Sequence, residues 1–444
     1  MKSIDKLKRL TGEAGQPVKK EVPAEAFSAE RQAQLKELRL RIESVVSRSQ
    51  ARSRAALSEK TARGNQGLAE LLEGCEVEND EGRFFLVSRM MRGASPHGHS
   101  VIQEAQRFDM TAAAMLANNP RISEWSSQDA LFLDTETTGL AGGTGTMPFL
   151  IGLGWFDEGH FHVHQILARD FGEEKAALSY LRQIASQRKY LVTFNGKAFD
   201  VNLLSTRFIL NRLSCDLTAL PHLDLLHPAR RILGHRLENC RLATLEEQIL
   251  GVKREGDIPG WEIPQRYFDW LRRRDPRLLV DIFEHNRLDV ISMATLTAHL
   301  ADILTARALK QSAHPDDYLA AARLLLQKTG PSAVFKILDV LGEEVCADIS
   351  QDSKKKLAFL YKRAGRIDDA VQLWRDMVEC DPGDYQAVSE LAKYLEHRVR
   401  DYQAAGALIE KALSDATRFS CDERGALEYR LRRVSSRPAT SQRR

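Results

Sequence analysis

Three short acidic stretches constrain this 444-residue chain more than any other feature, because each begins or ends a segment with a recognisable periodicity. The first, LFLDTETTGL, is an apolar run that ends in Asp134 and Glu136. The second, TFNGKAFDVNLL, places Asp200 where a strand gives way to a helix, and the third, IFEHNRLDVISM, carries His285 and Asp289 on a helical segment. Their order and setting predict an α/β domain in which acidic side chains meet at one pocket.

Asp134 and Glu136 are separated by one residue, so both side chains point to the same face of a strand. Two carboxylates are costly to bury unless they are paired or bind a metal, and Mg²⁺ prefers such oxygen ligands. An exposed strand end with two solvated acids is the competing interpretation. The small hydroxyl and glycine residues that follow favour a site, since they would let a nucleotide backbone approach closely. The candidate substrate-binding residues here are Thr137, Thr138, Gly139 and Leu140.

Asp200 opens a helix just after Asn195-Gly196, which breaks the preceding strand. Taken alone, an aspartate at this place is more often a helix cap than a ligand. His285 and Asp289 are four residues apart on a helix and therefore lie on one face, as an ordinary solvated pair also would. Asp289 would add a fourth carboxylate. His285 would accept a proton from attacking water, because histidine exchanges protons readily near neutral pH.

Each of these features has a structural explanation when it is taken alone, but four such explanations in this order are jointly improbable. The combination favours a metal site that cleaves a phosphodiester. The hypothesis requires Asp289 to lie near Asp134. If Asp289 lay well away from Asp134, or if an arginine filled the space between them, the nuclease hypothesis would fail. Two other kinds of phosphate site do not match. A haloacid-dehalogenase-type phosphatase has a second aspartate at the position of Glu136, and a Walker loop needs a lysine that residues 139–146 lack.

The periodicity around the acidic stretches predicts a mixed α/β sheet. Strands are predicted at residues 130–135, 147–157, 160–168, 190–195 and 222–226, and helices at residues 172–188, 200–212 and 276–304. Three strands, helix, strand, helix, strand is the order of a ribonuclease-H-like sheet flanked by helices, although spacing alone leaves other α/β folds open.

The chain divides into four predicted parts. Residues 1–65 form a basic tail that is largely disordered or helical, and residues 66–125 form a small N-terminal extension with a strand near residues 82–91. Residues 126–305 form the ribonuclease-H-like domain, and residues 306–444 form an all-α domain. Within it, residues 354–382 fit one tetratricopeptide unit, with weaker copies on both sides; a generic helical bundle is the alternative. Such a repeat domain is expected to bind a protein partner.

The bulk properties place few limits on the partner. The formal net charge of +3 neither requires nor excludes nucleic acid. The six cysteines include no Cys-x-x-Cys pair, the basic start is followed by no apolar stretch, and no apolar run reaches the length of a membrane span. These features predict a cytoplasmic protein without membrane association.

LFLDTETTGL, FNGKAFDVNLL and HNRLDV together resemble the three exonuclease motifs of the DEDD superfamily of 3′–5′ exonucleases, over roughly residues 126–304. His285 has the spacing of the tyrosine subfamily, one residue shorter than in the histidine subfamily. The resemblance implies hydrolysis of single-stranded DNA or RNA by a two-metal mechanism, with His285 as the base and Asn195 among the substrate-binding residues. The implied ligands of two Mg²⁺ or Mn²⁺ ions are Asp134, Glu136, Asp200 and Asp289.

A narrower resemblance is to the YprB-like ribonuclease-H-like family of bacteria, whose members are often joined to tetratricopeptide repeats. It is carried by AGGTGT, by LATLEEQILGVKREGDIPGWEIPQRYFDW and by the ending HN-x-x-D. A different class of function stays open: a catalytically weak nucleic-acid-binding adaptor that acts through its repeats. An endonuclease or resolvase of the same broad fold is disfavoured by the His-x-x-x-Asp helix.

Three further features have supporting roles. Asp224, at a strand end, is expected near the site. Arginines between the second and third motifs, Arg254 among them, would guide a strand of nucleic acid by binding its phosphates, although solvated helix faces explain most of them equally well. Three tryptophans are candidates for base stacking, with core packing the expected use of at least two: Trp155, Trp261 and Trp270.

Overall fold

The computed structural model describes residues 67–139, 145–307, 314–344 and 349–437. The predicted basic tail of residues 1–65 and the candidate residue Leu140 lie outside this part of the chain. The strands are β1 (Cys75–Asn79), β2 (Gly82–Arg92), β3 (Pro96–His97), β4 (Ser100–Val101), β5 (Ala130–Thr137), β6 (Pro148–Asp157), β7 (His160–Leu167), β8 (Tyr190–Thr193) and β9 (His222–Asp224).

Helices alternate with the later strands and then follow one another to the end of the described chain. The first eight are α1 (Ile102–Ala105), α2 (Met110–Ala117), α3 (Glu174–Ala185), α4 (Asp200–Leu210), α5 (Leu226–Ile232), α6 (Leu242–Leu245), α7 (Ile263–Arg273) and α8 (Arg277–Thr305). A π-helical turn, Glu246–Leu250, continues α6. The C-terminal helices are α9 (Pro315–Lys328), α10 (Phe335–Glu344), α11 (Gln351–Arg363), α12 (Ile367–Cys380), α13 (Tyr385–Tyr394), α14 (Tyr402–Leu413) and α15 (Cys421–Ser435).

Seven strands form one mixed sheet in the order β1-β2-β7-β6-β5-β8-β9. The strands from β1 to β5 in this order pair antiparallel, whereas β8 pairs parallel to β5 and β9 parallel to β8. The mixed sheet with flanking helices is the architecture that the order of the sequence motifs predicted. The carboxyl ends of β5, β8 and β9 meet at one edge, because these three strands run in the same direction.

The predicted N-terminal extension is not a separate unit. β2 pairs with β7 along eight positions, from Phe85 opposite Leu167 to Arg92 opposite His160, and β1 continues the sheet beyond it. α2 contacts both β9 and α8. A boundary at residue 125 therefore divides strands that share one sheet. The sequence indicated the strand at residues 82–91 but not its partner, because local alternation carries no information about which distant strand it pairs with.

Alternation along β5 assigns its side chains to two cores. Leu131 and Leu133 belong to the core beneath α3, α4 and α7, whereas Phe132 belongs to the core beneath α8. All three side chains are buried. By the same alternation Asp134 points towards α8 and Thr135 towards α4, which decides the neighbours of each.

The core beneath α8 continues into the C-terminal helices without interruption, from Ile102 through Leu296 to Leu427. Consecutive helices from α11 to α15 pack on one another. Three successive helix pairs, α9 with α10, α11 with α12 and α13 with α14, occupy the three segments in which the sequence suggested repeat units.

α8 is the longest helix of the described chain, with 29 residues. By length and composition it could cross a membrane, but 72% of its most apolar window is buried within the protein. Such burial is typical of the central helix of a globular domain.

Candidate active site

Asp134 and Glu136 lie at the carboxyl end of β5. The strand is fully buried from Ala130 to Leu133, and half-buried from Asp134 onwards. The pairing with β6 shifts register between Glu136 and Thr137, so the strand bends where its acidic side chains occur. The first half of the strand is buried and the second half is partly exposed. The two carboxylates therefore lie at the rim of the core and face α8.

A buried amide positions Asp134. Asn286 on α8 donates from Nδ2 to Asp134 Oδ2 at 2.8 Å, and its Oδ1 accepts from Gln165 Nε2 at 3.0 Å. Gln165 also donates to the Phe283 carbonyl at 2.7 Å, which fixes the orientation of both amides. A Cβ at Gly152 on β6 would clash with the Asn286 side chain, so the glycine makes this approach possible. The sequence analysis did not predict these contacts of Asn286 and Gln165.

Asp200 reaches the same edge from the other face of the sheet. It is the first residue of α4, and its carboxylate accepts a hydrogen bond from the Thr135 hydroxyl. The helix packs beneath β5 through Val201, Leu204 and Phe208. Alternation along β5 turns Thr135 towards α4, and this explains why Asp200 and Asp134 approach the strand end from opposite faces.

His285 and Asp289 are stacked on α8 and face the acids of β5. His285 Nε2 lies 3.7 Å from Asp289 Oδ2 and 4.0 Å from Glu136 Oε1. The other ring nitrogen, Nδ1, lies 2.7 Å from Asp257 Oδ1. Asp257 comes from the segment between α6 and α7 and was not among the predicted site residues. It orients the ring so that Nε2 faces the carboxylates.

Arg254 lies inside this pocket, although the sequence suggested that it would line a path for phosphates. Its guanidinium forms an ion pair with Asp289, donates to Asp257 Oδ2 at 3.2 Å and to both oxygens of Glu246. The nuclease hypothesis fails if an arginine fills the space between Asp289 and Asp134, and Arg254 beside Asp289 partly meets this condition. The carboxylates nevertheless interact: Asp289 and Asp200 both raise the pKa of Asp134.

The charge of the pocket is unbalanced. Burial, followed by repulsion from neighbouring carboxylates, raises the pKa of Asp134 and of Glu136 well above their ordinary values. Burial raises the pKa of Asp200 to about 6 against the hydrogen bond from Thr135, and it raises the pKa of Asp289 against the attraction of Arg254. One guanidinium cannot neutralise this many acids. A set of hard oxygen ligands with excess negative charge fits a divalent cation such as Mg²⁺ or Mn²⁺.

Asp134, Asp200 and Asp289 each have a polar partner within the protein, and no three of the proposed ligands offer oxygen atoms within 4.8 Å of one another. Within the described residues, three potential metal ligands lie within 4.8 Å of one another at a different place: His235, His314 and Asp316. Both histidines of that group are exposed. The acidic pocket differs from it in being desolvated, which is the property that makes a bound cation favourable there.

The predicted substrate-binding hydroxyls are engaged within their own loop. Thr137 Oγ1 donates to the Gly139 carbonyl at 2.9 Å, and Thr138 Oγ1 accepts from the Met147 amide at 3.0 Å. The Thr138 amide donates to the Met147 carbonyl at 2.9 Å. In this arrangement the two threonines shape the rim next to Glu136.

Asp224 organises the turn that leads to Asp200. Its carboxylate accepts from the amides of Asn195 at 2.8 Å, Lys197 at 3.0 Å and Leu226 at 3.1 Å. Asn195 has a φ of 65°, a left-handed conformation that asparagine tolerates better than most residues. Asp224 therefore has the supporting role that its position suggested: it fixes the turn between β8 and α4.

The fold and the chemistry of this pocket define a class of protein. Residues 131–301, which include β6 to β9 and most of α8, match the family model described as the RNase_H superfamily. Members of this superfamily are typically nucleases or other hydrolases that use divalent metal ions. The domain therefore has a ribonuclease-H-like fold of the nucleic-acid-processing class.

The particular family follows from a comparison with one curated relative. Over 317 residues, 70% of this chain and 75% of the relative, the chain is 36% identical to "Uncharacterized protein YprB" of Bacillus subtilis (strain 168). The chain belongs to the same family as that protein, within the ribonuclease-H-like superfamily.

Proposed function

We propose that this protein is a metal-dependent 3′–5′ exonuclease that acts on single-stranded nucleic acid. One observation carries the proposal: carboxylates from β5, α4 and α8 meet at the carboxyl end of β5, where Asp200 and Asp289 raise the pKa of Asp134 and of Glu136. The DEDD-type resemblance of the three acidic motifs supplies the polarity and the preference for a single strand. Asp134, Glu136, Asp200 and Asp289 are the proposed metal ligands, and cytoplasmic localisation is part of the same proposal.

The side chains around the proposed ligands have separate tasks. A bound divalent cation would act as a Lewis acid on the phosphate and lower the pKa of a water molecule. His285 Nε2 faces the pocket and accepts the proton of the attacking water, while the Asp257 carboxylate accepts a hydrogen bond from Nδ1–H and stabilises the charged ring. Asn286 holds Asp134 in place, as an outer partner of a metal ligand typically does.

The test is digestion of 3′-labelled and 5′-labelled DNA and RNA oligomers with Mg²⁺ or Mn²⁺. Wild type is expected to release mononucleotides from the 3′ end. Asp134→Ala and Asp200→Asn are expected to lose activity by a factor on the order of 10³ or more, because each removes a ligand. Asp281→Ala is the matched control, since Asp281 also lies on α8 but pairs with Arg266 at the surface. Metal-dependent hydrolysis that persists in Asp134→Ala would rule the assignment out.

An adaptor of low catalytic activity is the second candidate. It is favoured by the contact of Arg254 with Asp289 and by a cleft of about 440 Å³ between the sheet domain and the C-terminal helices, lined by Arg231, Arg323, Lys355, Lys356 and Phe359 among others. We propose that these helices are tetratricopeptide-like and bind a protein partner in this cleft. Tight binding of oligomers without hydrolysis under any metal condition would favour the adaptor. Loss of partner binding in Arg323→Ala with an intact fold would support the role of the cleft.

A further inference from the structure

The guanidinium of Arg254 is a fixed part of the acidic pocket. The side chain is only 8% exposed. Besides its ion pair with Asp289, its Nη1 lies 3.2 Å from Asp257 Oδ2 and 3.2 Å from His285 Nδ1. The guanidinium thus contacts both Asp289 and Asp257, the residue that orients the proposed base. Its positive charge also favours the ionised forms of Asp134 and Glu136.

Arg254 has a dedicated partner that does not belong to the proposed metal ligands. Glu246 accepts from Arg254 Nε at 2.5 Å and from Nη2 at 2.7 Å, and Glu246 is completely buried. Such a two-point pair fixes the plane of a guanidinium. Arg254 would therefore stay in place if Asp289 were removed, whereas removing Arg254 would leave Glu246 as a buried, unpaired acid.

The backbone that carries Arg254 is also held by close packing. The His99 amide donates to the Leu250 carbonyl at 2.8 Å, and the Val252 amide donates to the Glu246 carbonyl at 2.8 Å. Gly251 has a φ of 71°, and a Cβ there would clash with the His99 ring. The position of the guanidinium is thus determined by the packed segment that precedes it and by Glu246, and not by Asp289 alone.

We infer that Arg254 supplies one of the positive charges of the pocket, so that the pocket takes one divalent cation instead of two. That cation would bind on Asp134, Glu136 and Asp200, while Asp289 stays paired with Arg254 and is no longer one of the metal ligands. A second cation on Asp289 would have to displace the guanidinium and leave Glu246 unpaired. The inference rests on the proposed function, because it concerns the same pocket. It removes Asp289 from the proposed ligands, and it replaces the expectation of two ions drawn from the family resemblance.

Counting bound metal tests this inference without any measurement of activity. The full-length chain is freed of metal with a chelator, dialysed and titrated with Mn²⁺, and the bound ions are counted by calorimetry and by the electron paramagnetic resonance signal of free Mn²⁺. Wild type is expected to bind one Mn²⁺ per chain, and Arg254→Gln two. Arg266→Gln is the matched control, since Arg266 also bridges two acids but at the surface, and it should bind one.

Two further variants keep the test independent of a folding defect. Glu246→Gln combined with Arg254→Gln removes both members of the buried pair, so Glu246 is not left as a buried, unpaired acid, and this variant should also bind two ions. Asp289→Asn should still bind one ion with an affinity within about threefold of wild type, whereas Asp134→Asn should bind none. Circular dichroism and a thermal melt establish that each variant is folded.

The outcomes separate this inference from the proposed function. Two ions in wild type, or one ion in both Arg254 variants, would overturn the role of Arg254 and leave the exonuclease proposal standing. A tenfold or greater loss of affinity in Asp289→Asn would likewise overturn it. No Mn²⁺ bound to any variant would remove both the inference and the metal-dependent function.

Discussion

Single residues near the pocket depend on partners that are far away in the sequence. Asn286 contacts Asp134, 152 residues away, and Gln165, 121 residues away. The acids themselves could be selected from the sequence, because an apolar strand ending in Asp-x-Glu is a local pattern. The roles of Arg254, Asp257 and Glu246 could not, because the sequence around a charged residue does not indicate which distant charge it will meet.

Asp257 gives the first prediction at the scale of the residue. Asp257→Asn is expected to lower kcat roughly 10²-fold with little change in KM, because the ring of His285 loses the partner that fixes its Nδ1 proton. The effect should vanish in a His285→Ala background, since the two residues act as a unit. Steady-state kinetics of the four proteins measure this, and additive losses in the double variant would contradict it.

Asp200 predicts an unusual dependence of stability on pH. Burial raises its pKa to about 6, so the folded chain binds more protons than the unfolded chain between about pH 4 and pH 6. The free energy of unfolding therefore falls as pH rises through this window. In chelator, Asp200→Asn should be more stable than wild type at pH 7.5, by up to about 3 kcal/mol, and lose that advantage near pH 4.

Urea denaturation at the two pH values measures this difference. Asp216→Asn is the control with the opposite sign, because the hydrogen bond from Thr218 lowers the pKa of Asp216. The stability that Asp216 contributes is present above its unfolded pKa and is lost as pH falls. Equal stability of wild type and Asp200→Asn at both pH values would mean that Asp200 is not desolvated in the folded protein.

At the scale of the element, the sequence predicted the later strands and their helices to within a few residues. An apolar run such as Ala130–Thr137 and the 3.6-residue periodicity of α8 are properties of the segment itself. The segment of residues 246–260 was harder to interpret, because its path is set by the packing of Gly251 against His99 and not by its own periodicity. That loop carries Arg254 and Asp257, so it contributes more to the pocket than its composition indicated.

The loop between the π-helical turn and α7 also presents an aromatic side chain. Trp155 and Trp270 are buried, as core packing predicted for two of the three tryptophans, whereas Trp261 is 69% exposed. Phe199, next to Asp200, is 57% exposed. Both rings are available for stacking on bases of a single strand.

Removing either ring should therefore weaken the binding of single-stranded oligomers. Trp261→Ala and Phe199→Ala are each expected to raise Kd roughly tenfold, since stacking contributes about 1–3 kcal/mol per base. Tyr429→Ala is the matched control, because Tyr429 is an exposed ring on α15. Fluorescence anisotropy at fixed salt measures the affinities, and a Tyr429→Ala effect as large as the other two would count against stacking at the loop.

At the scale of the whole molecule, the sheet domain and the C-terminal helices share one core and one buried ion pair. Arg236, which follows α5, donates to both oxygens of Asp317 on α9 at 2.9 and 2.8 Å, and the Asp317 side chain is completely buried. The sequence indicated a change to helical structure near residue 306 but not this interface. Its charges are separated by 81 residues, so no local pattern connects them.

Breaking this pair should destabilise the whole protein. Arg236→Ala is expected to lower the free energy of unfolding by about 3–5 kcal/mol, because the buried Asp317 carboxylate would lose its two-point partner and keep only His235, at 3.5 Å. Arg236→Leu combined with Asp317→Leu should recover most of the loss. Lys356→Ala, which removes an exposed pair with Asp352, should change stability by less than about 1 kcal/mol.

Denaturant unfolding followed with two spectroscopic probes measures these changes in the free energy of unfolding. Tryptophan fluorescence and far-ultraviolet circular dichroism should report the same transition, since the shared core joins sheet and helices. Two separate transitions in wild type would show that the C-terminal helices unfold on their own, and the Arg236→Ala effect would then be confined to one of them.

Because α8 is one uninterrupted helix, the directions in which side chains at its two ends point are fixed relative to each other. Its 29 residues span about 44 Å, with His285 and Asp289 in the first half and contacts to α9 and α10 further on. Each residue turns an α-helix by about 100°, so inserting one residue after Asp289 would swing everything beyond it about a quarter-turn away from its neighbours. Insertions or deletions in this helix therefore keep both sets of contacts only when they add or remove about one full turn, three or four residues. The distance between the pocket and the C-terminal helices can then change only in steps of about one helical turn.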